Sequence, residues 1–178
     1  MLKNTESSYG TLSKALHWLV ALVVFTMFAV GFWMVELDYY SDWYKTAPHY
    51  HKSVGLLLSL VVIFRLFWRM INKRPEPLAT HSRLEIFAAH VAHLLLYLAL
   101  FAIFISGYLI STADGRGIEV FNWFTIPSAG EFIEQQEDIA GSLHKWLAYG
   151  LIALVSVHAL AAIKHHFIDR DNTLKRML

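Results

Sequence analysis

The sequence predicts an all-α integral membrane bundle of four helices with both termini on the cytoplasmic side. Three observations carry that reading: the composition, four long apolar stretches, and a one-sided distribution of basic residues. Of 178 residues 56% are hydrophobic and 15% aromatic, while only 16% are charged, which is too apolar for an ordinary soluble domain. A hydrocarbon core of roughly 30 Å takes about 20 apolar residues per helix. Four stretches meet that length, approximately Leu16 to Val35, His51 to Met70, Ala89 to Ile110 and Leu143 to Phe167. What is left is a polar amino-terminal segment, two short connections, a loop from about Ser111 to Ser142 and a charged tail, so residues 1–178 read as a single transmembrane domain.

The first apolar run follows a mostly polar lead and is long enough to span, so it reads as a retained helix and not a cleaved signal. The second ends in Asn72, Lys73, Arg74, Pro75, Glu76 and Pro77, residues that neither continue a helix nor sit in lipid. The third is followed by Asp114, Gly115, Arg116 and Gly117, a turn signal opening the long loop. The fourth carries the densest chemistry. Tyr39, Tyr40, Trp43, Tyr44, Trp123 and Trp146 fall near the outer boundary, where they suit either an aromatic belt or packing around a cofactor.

With both termini inside, eleven basic residues lie on the cytoplasmic side: Lys3 and Lys14, then Arg65, Arg69, Lys73, Arg74 and Arg83, then Lys164, Arg170, Lys175 and Arg176. Only Lys45, Lys52, Arg116 and Lys145 remain outside, an 11 to 4 bias that sets the orientation by the positive-inside rule. Nine of the fourteen acidic residues fall on the outer side, giving it a net charge of −5.

Ten histidines is a large number for this length, and ionisable side chains within a bilayer are costly enough to imply function. His144 and His158 are fourteen residues apart. That spacing falls about 40° short of four helical turns and covers roughly 21 Å of helix axis, so both rings leave nearly one face at two depths. Each can hold a porphyrin between helices, as ligands in bundle interiors do. Helix direction supplies partners at matching depth: His51 at the outer start of the second helix for His144, and His17 at the inner start of the first for His158. With no cysteine in the chain, disulfides, iron–sulfur clusters and covalent haem attachment are excluded.

Other residues admit two readings. Arg65, fourteen after His51, either pairs with a haem propionate or snorkels to the surface. His93, beside His90 on the third helix, is an alternative to His17 as inner ligand. Gly31 and Gly55 read as plain helix-packing positions, although a macrocycle could lie against either. His49 and His81 read as exposed loop histidines. The pairs His49 with His51, His90 with His93 and His165 with His166 would suit a metal transporter, but no intramembrane carboxylate accompanies them.

At this point the residues resemble the bacterial cytochrome b561 family, small four-helix di-haem membrane cytochromes that include superoxide oxidase. The resemblance rests on His17-Trp18-Leu19, on H-K-S-V-G from His51, on His93 followed by L-L-L-Y, and on the stretch from His144 through His158 into K-H-H-F-I-D-R-D-N-T-L-K-R-M. The ligand pattern is also similar to that of the cytochrome subunits of formate dehydrogenase and nickel–iron hydrogenase. The family implies two haem b groups, a bacterial inner-membrane location and ubiquinone as the inner partner, for which His93, His165 and His166 are candidate proton-relaying contacts. It also implies collection of superoxide outside, with Lys52, Lys145 and Arg116 as steering charges. The acidic outer face leaves an alternative, in which the protein is a redox module and not itself an enzyme, exchanging electrons between the quinone pool and a dehydrogenase or a periplasmic protein docked at the loop from Glu131 to Asp138.

Overall fold

In a computed structural model describing residues 1–178, the chain forms four long helices and one small hairpin: α1 (Thr11–Met34), α2 (Thr46–Ile71), α3 (Arg83–Thr112), β1 (Ile118–Val120), β2 (Phe124–Ile126) and α4 (Gln136–Phe167). All four helices are long and apolar enough to cross a membrane. Each extends beyond the apolar stretch that marks it, most of all at the amino-terminal ends of α3 and α4. The apolar count measures hydrocarbon thickness, whereas the helix continues through polar flanks that can hold its free N–H groups. At α3 a capping box does this: Ser82 Oγ accepts from Glu85 N, and Glu85 Oε2 accepts from Ser82 N at 2.9 Å.

The helices pack as two antiparallel pairs, α1 on α2 and α3 on α4, with sparser contact across the seam between the pairs. At mid-depth the seam is closed by Val20 and Val24 of α1, Leu58 and Val62 of α2, Leu100 of α3 and Leu151 of α4. Only 16 of the 178 residues are buried, few for a chain this apolar. Side chains such as Leu22, Leu60, Leu98 and Leu160 are exposed on the outside of the bundle, where acyl chains replace water as their solvent.

The expected outer loop has structure of its own. β1 and β2 pair antiparallel with Ile118 opposite Ile126, and Phe121 and Asn122 turn the chain at positive φ. Ser53 of α2, fully buried, fastens the hairpin: its hydroxyl accepts from Phe121 N at 3.1 Å and approaches the Glu119 carbonyl at 3.3 Å. The loop then returns through Gln136, 2% exposed, whose amide donates to the Leu109 carbonyl at 3.0 Å and accepts from Phe132 N at 2.8 Å.

The end of the bundle that carries both termini, called the inner end below and the opposite one the outer, is assembled from three distant segments. Asn4 donates to the Lys73 carbonyl, Glu76 N to the Glu6 carbonyl, Arg176 to the Glu76 carbonyl and Trp18 Nε1 to the Met177 carbonyl. His81 was expected in an exposed loop; its ring is instead half-buried here, with Nε2 2.9 Å from Asp171 Oδ2. His49 likewise lies in the first turn of α2, half-buried against the Tyr50 ring, because α2 begins five residues before the apolar run.

Replacing Gln136 by Leu leaves the Phe132 N–H and the Leu109 carbonyl without these partners, at a cost of about 1–3 kcal/mol. A lowered thermal midpoint in detergent, with the haem spectrum intact at room temperature, is the expected outcome.

Candidate functional site

The four intramembrane histidines singled out by spacing all face the seam region, and they divide across it. His17 on α1 and His51 on α2 belong to one helical pair; His144 and His158 belong to α4 of the other. At the inner end the His17 and His158 rings stand 6.3 Å apart, centroid to centroid. Two metal–nitrogen bonds of about 2 Å each, plus two ring radii of roughly 1.2 Å, would set opposed imidazoles about 6.4 Å apart. The spacing fits one metal between them.

At the outer end the seats of the imidazoles are visible in the backbone. A Cβ placed on Gly31 of α1 would meet His51 Cε1 at 3.2 Å, and one on Gly107 of α3 would meet His144 Cε1 at 3.2 Å. Each ring turns its Cε1 edge toward a helix, so close that an added Cβ would have to push it back by a few tenths of an ångström. Gly31 therefore has a more specific use than helix packing, whereas Gly55 meets only Met27 Cε at an ordinary 3.5 Å. Gly107 escaped the sequence reading, although a signal existed: it follows His93 by fourteen residues, as Gly31 follows His17 and Arg65 follows His51.

Second contacts orient the rings. His144 Nδ1 lies 3.1 Å from the Ile103 carbonyl and 3.0 Å from Ser106 Oγ. A nitrogen facing a carbonyl carries the proton, so Nε2 keeps its lone pair, as a metal-bound imidazole requires. His51 Nδ1 is buried without a partner. Arg65 was expected at a propionate or at the surface; here it is largely enclosed, its Nη2 2.9 Å from His17 Nδ1 and its guanidinium 5.7 Å from the centre of the Tyr97 ring. That bond makes His17 Nδ1 an acceptor, the reverse of the tautomer held at His144.

His93 approaches His158 more closely than His17 does, 5.3 Å between centroids. It stands on α3, however, in the same helical pair as α4. His165 turns away from the seam toward Asp169, at 2.8 Å, and the ring of His81. His166 packs edge-on against Phe167, and its Nδ1 is buried without a partner. On the outer face Lys52 is half-buried and Lys145 exposed, while Arg116 is ion-paired with Asp114 at 2.5 Å and so brings little free positive charge.

Imidazoles opposed across the apolar seam of a four-helix membrane bundle, with glycines beneath them, make up the framework of a membrane cytochrome. The chain belongs to the prokaryotic cytochrome b561 family, whose model matches residues 8–178. It is 53% identical over 175 residues to cytochrome b561 homolog 2 of Escherichia coli (strain K12), covering 98% of this chain and 93% of that one. It is also 29% identical to "Probable superoxide oxidase CybB" of Yersinia pestis over 97% of each chain, and 25% identical to cytochrome b561 homolog 1 of E. coli over 92% of each. As a member of this family the protein is a multi-pass inner-membrane protein that transfers electrons across the membrane and uses haem b.

A larger residue at Gly107 has to push the His144 ring off its seat. Gly107→Val should lower the ratio of Soret absorbance to protein in the purified protein, whereas Gly55→Ala should leave it unchanged.

Proposed function

We propose that the protein carries electrons through two bis-histidine b haems from a donor at the outer face to ubiquinone at the inner face. The observation that carries this reading is that two sets of histidines occupy opposite ends of one apolar layer, with members on both sides of the same seam. His51 and His144 would hold the outer haem, and His17 and His158 the inner one. Held by two histidines each, the haems would supply one-electron outer-sphere transfer. His17 is preferred to His93 because it faces His158 from across the seam, whereas His93 shares the helical pair of His158.

The remaining side chains then take defined tasks. As a neutral ligand through Nε2, His17 keeps its proton on Nδ1, so Arg65 can no longer donate there and its charge is free for a carboxylate such as a propionate. The basic bias of eleven to four supports cytoplasmic termini and puts His158 on the inner side. Reducing ubiquinone takes two electrons and two protons. His93 and His166, with His165 behind them, are the groups near the inner pair able to hydrogen-bond a quinone oxygen and pass protons near neutral pH.

Superoxide is the preferred donor, on the strength of the relative named as a probable superoxide oxidase and of Lys52 and Lys145, each directly after an outer histidine. Two superoxide anions would each give one electron, become oxygen, and together reduce one quinone. The second reading, a redox module serving a periplasmic protein, is favoured by the acidic outer surface, where Glu131, Glu134, Glu137 and Asp138 are all exposed.

Two experiments test these statements. An optical redox titration should resolve two one-electron components, with His144→Ala and His158→Ala each removing a different one; a single component in the unaltered protein would refute the two-haem reading. Stopped-flow mixing of the oxidised protein with superoxide should reduce the haems at a rate that falls several-fold in the Lys52→Glu, Lys145→Glu double variant. Absence of rapid reduction would leave the redox-module reading in its place.

A further inference from the structure

Outside the seam lies one cluster of ligating side chains, of which only His165 has been given a part so far, behind the groups proposed to contact quinone. His81, in the connection between α2 and α3, places Nε2 2.9 Å from Asp171 Oδ2. His165, in the last turn of α4, places Nδ1 3.5 Å from the same oxygen. The two imidazole rings are 4.8 Å apart, and the three donor atoms all lie within 4.8 Å of one another. None is a loose surface group: the His81, His165 and Asp171 side chains are 17%, 15% and 5% exposed. Two regions of the chain, the α2–α3 connection at His81 and, 84 residues on, the end of α4 with the tail that follows it, thus deliver two imidazoles and a carboxylate to one point.

We propose that His81 Nε2, His165 Nδ1 and Asp171 Oδ2 form a binding site for a divalent transition-metal cation of the zinc class at the inner face, separate from the histidines of the seam. A tetrahedral zinc ion with bonds of about 2.0–2.1 Å keeps its donor atoms roughly 3.3–3.5 Å apart; the His165–Asp171 separation of 3.5 Å already meets this, and the hydrogen-bonded His81–Asp171 pair at 2.9 Å would have to open slightly. Two imidazoles with one carboxylate suit zinc and its neighbours in the first transition series; calcium and magnesium would demand oxygen donors. Asp169 Oδ2, 2.8 Å from His165 Nδ1, is the neighbouring carboxylate, but it also pairs with Lys164 at 2.7 Å. The fourth position is therefore left to water. Thr173 Oγ1, 3.2 Å from His81 Nε2, is close enough to hydrogen-bond to such a water. Glu85, the other carboxylate within reach of His165, is held by Ser82 and Lys164 and takes no part.

The competing description is a plain hydrogen-bonded tie between the tail and the α2–α3 connection, and the experiment separates the two. Untagged holoprotein in detergent, with its haem in place so that the seam histidines are engaged, is dialysed against Zn²⁺ and the bound metal counted by mass spectrometry. One zinc per chain is expected, with a zinc K-edge absorption spectrum showing two imidazole nitrogens at about 2.0–2.1 Å. His81→Gln and Asp171→Asn, which keep hydrogen-bonding capacity and so the tie, should each weaken binding at least tenfold at unchanged haem content. Glu85→Gln should leave it unchanged. No zinc above the level of the two variants would overturn the proposal, as would binding abolished by Glu85→Gln but indifferent to Asp171→Asn.

Discussion

An imidazole within a bilayer has few partners to choose from, and the bundle is organised around giving four of them a place. The apolar side chains cannot do this alone, since lipid solvates Leu and Val about as well as a neighbouring helix does. What separates one arrangement of these helices from another is the fit of His51 on Gly31, of His144 on Gly107 and the Ile103 carbonyl, and of His17 opposite His158. The midplane layer from Val20 to Leu151 then fills the space between the two polar levels. Moving any helix by one residue turns its histidine about 100° away from the seam.

The division into two helical pairs follows from the same need. Were all four helices equally close, nothing flat could lie between opposed rings. The sparse packing across the seam leaves its two ends to the histidines. The outer hairpin, fastened to α2 through Ser53, and Gln136, fastened to the end of α3, tie the pairs together from the water side without filling that seam. The hydrogen bonds of the inner face do the same from the other side.

Much of this was legible in the residues. The four spans and the depths at which His17, His51, His144 and His158 lie follow from helix pitch and direction, which depend on residue number alone; the enclosure of Arg65 beside His17 does not. What escaped were features set by chain segments meeting from afar. His81 looked like an exposed residue of its loop because nothing near it in sequence signals Asp171, ninety positions on. The β-hairpin escaped because strands of three residues carry no periodicity worth reading. Gly107 was overlooked for another reason: a helical glycine in an apolar run looks the same whether it faces a neighbouring helix or the edge of an imidazole. The outer lysines show the converse. Position after a ligand histidine marked Lys52 and Lys145, but only the Asp114 contact shows that Arg116 is already neutralised.

The inner face also carries a consequence for the order of assembly. Its ties join residues far apart along the chain: Asn4 to Lys73, Glu76 to Arg176, His81 to Asp171, and Trp18 to Met177 across 159 positions. Helical pairs can form as soon as each pair has been threaded into the membrane, because their contacts are between chain neighbours. The tail ties have to wait until α4 has crossed. Until then Trp18 and His81 lack their partners, and a half-synthesised chain presents, at the end that carries its termini, an open surface that the finished molecule has closed.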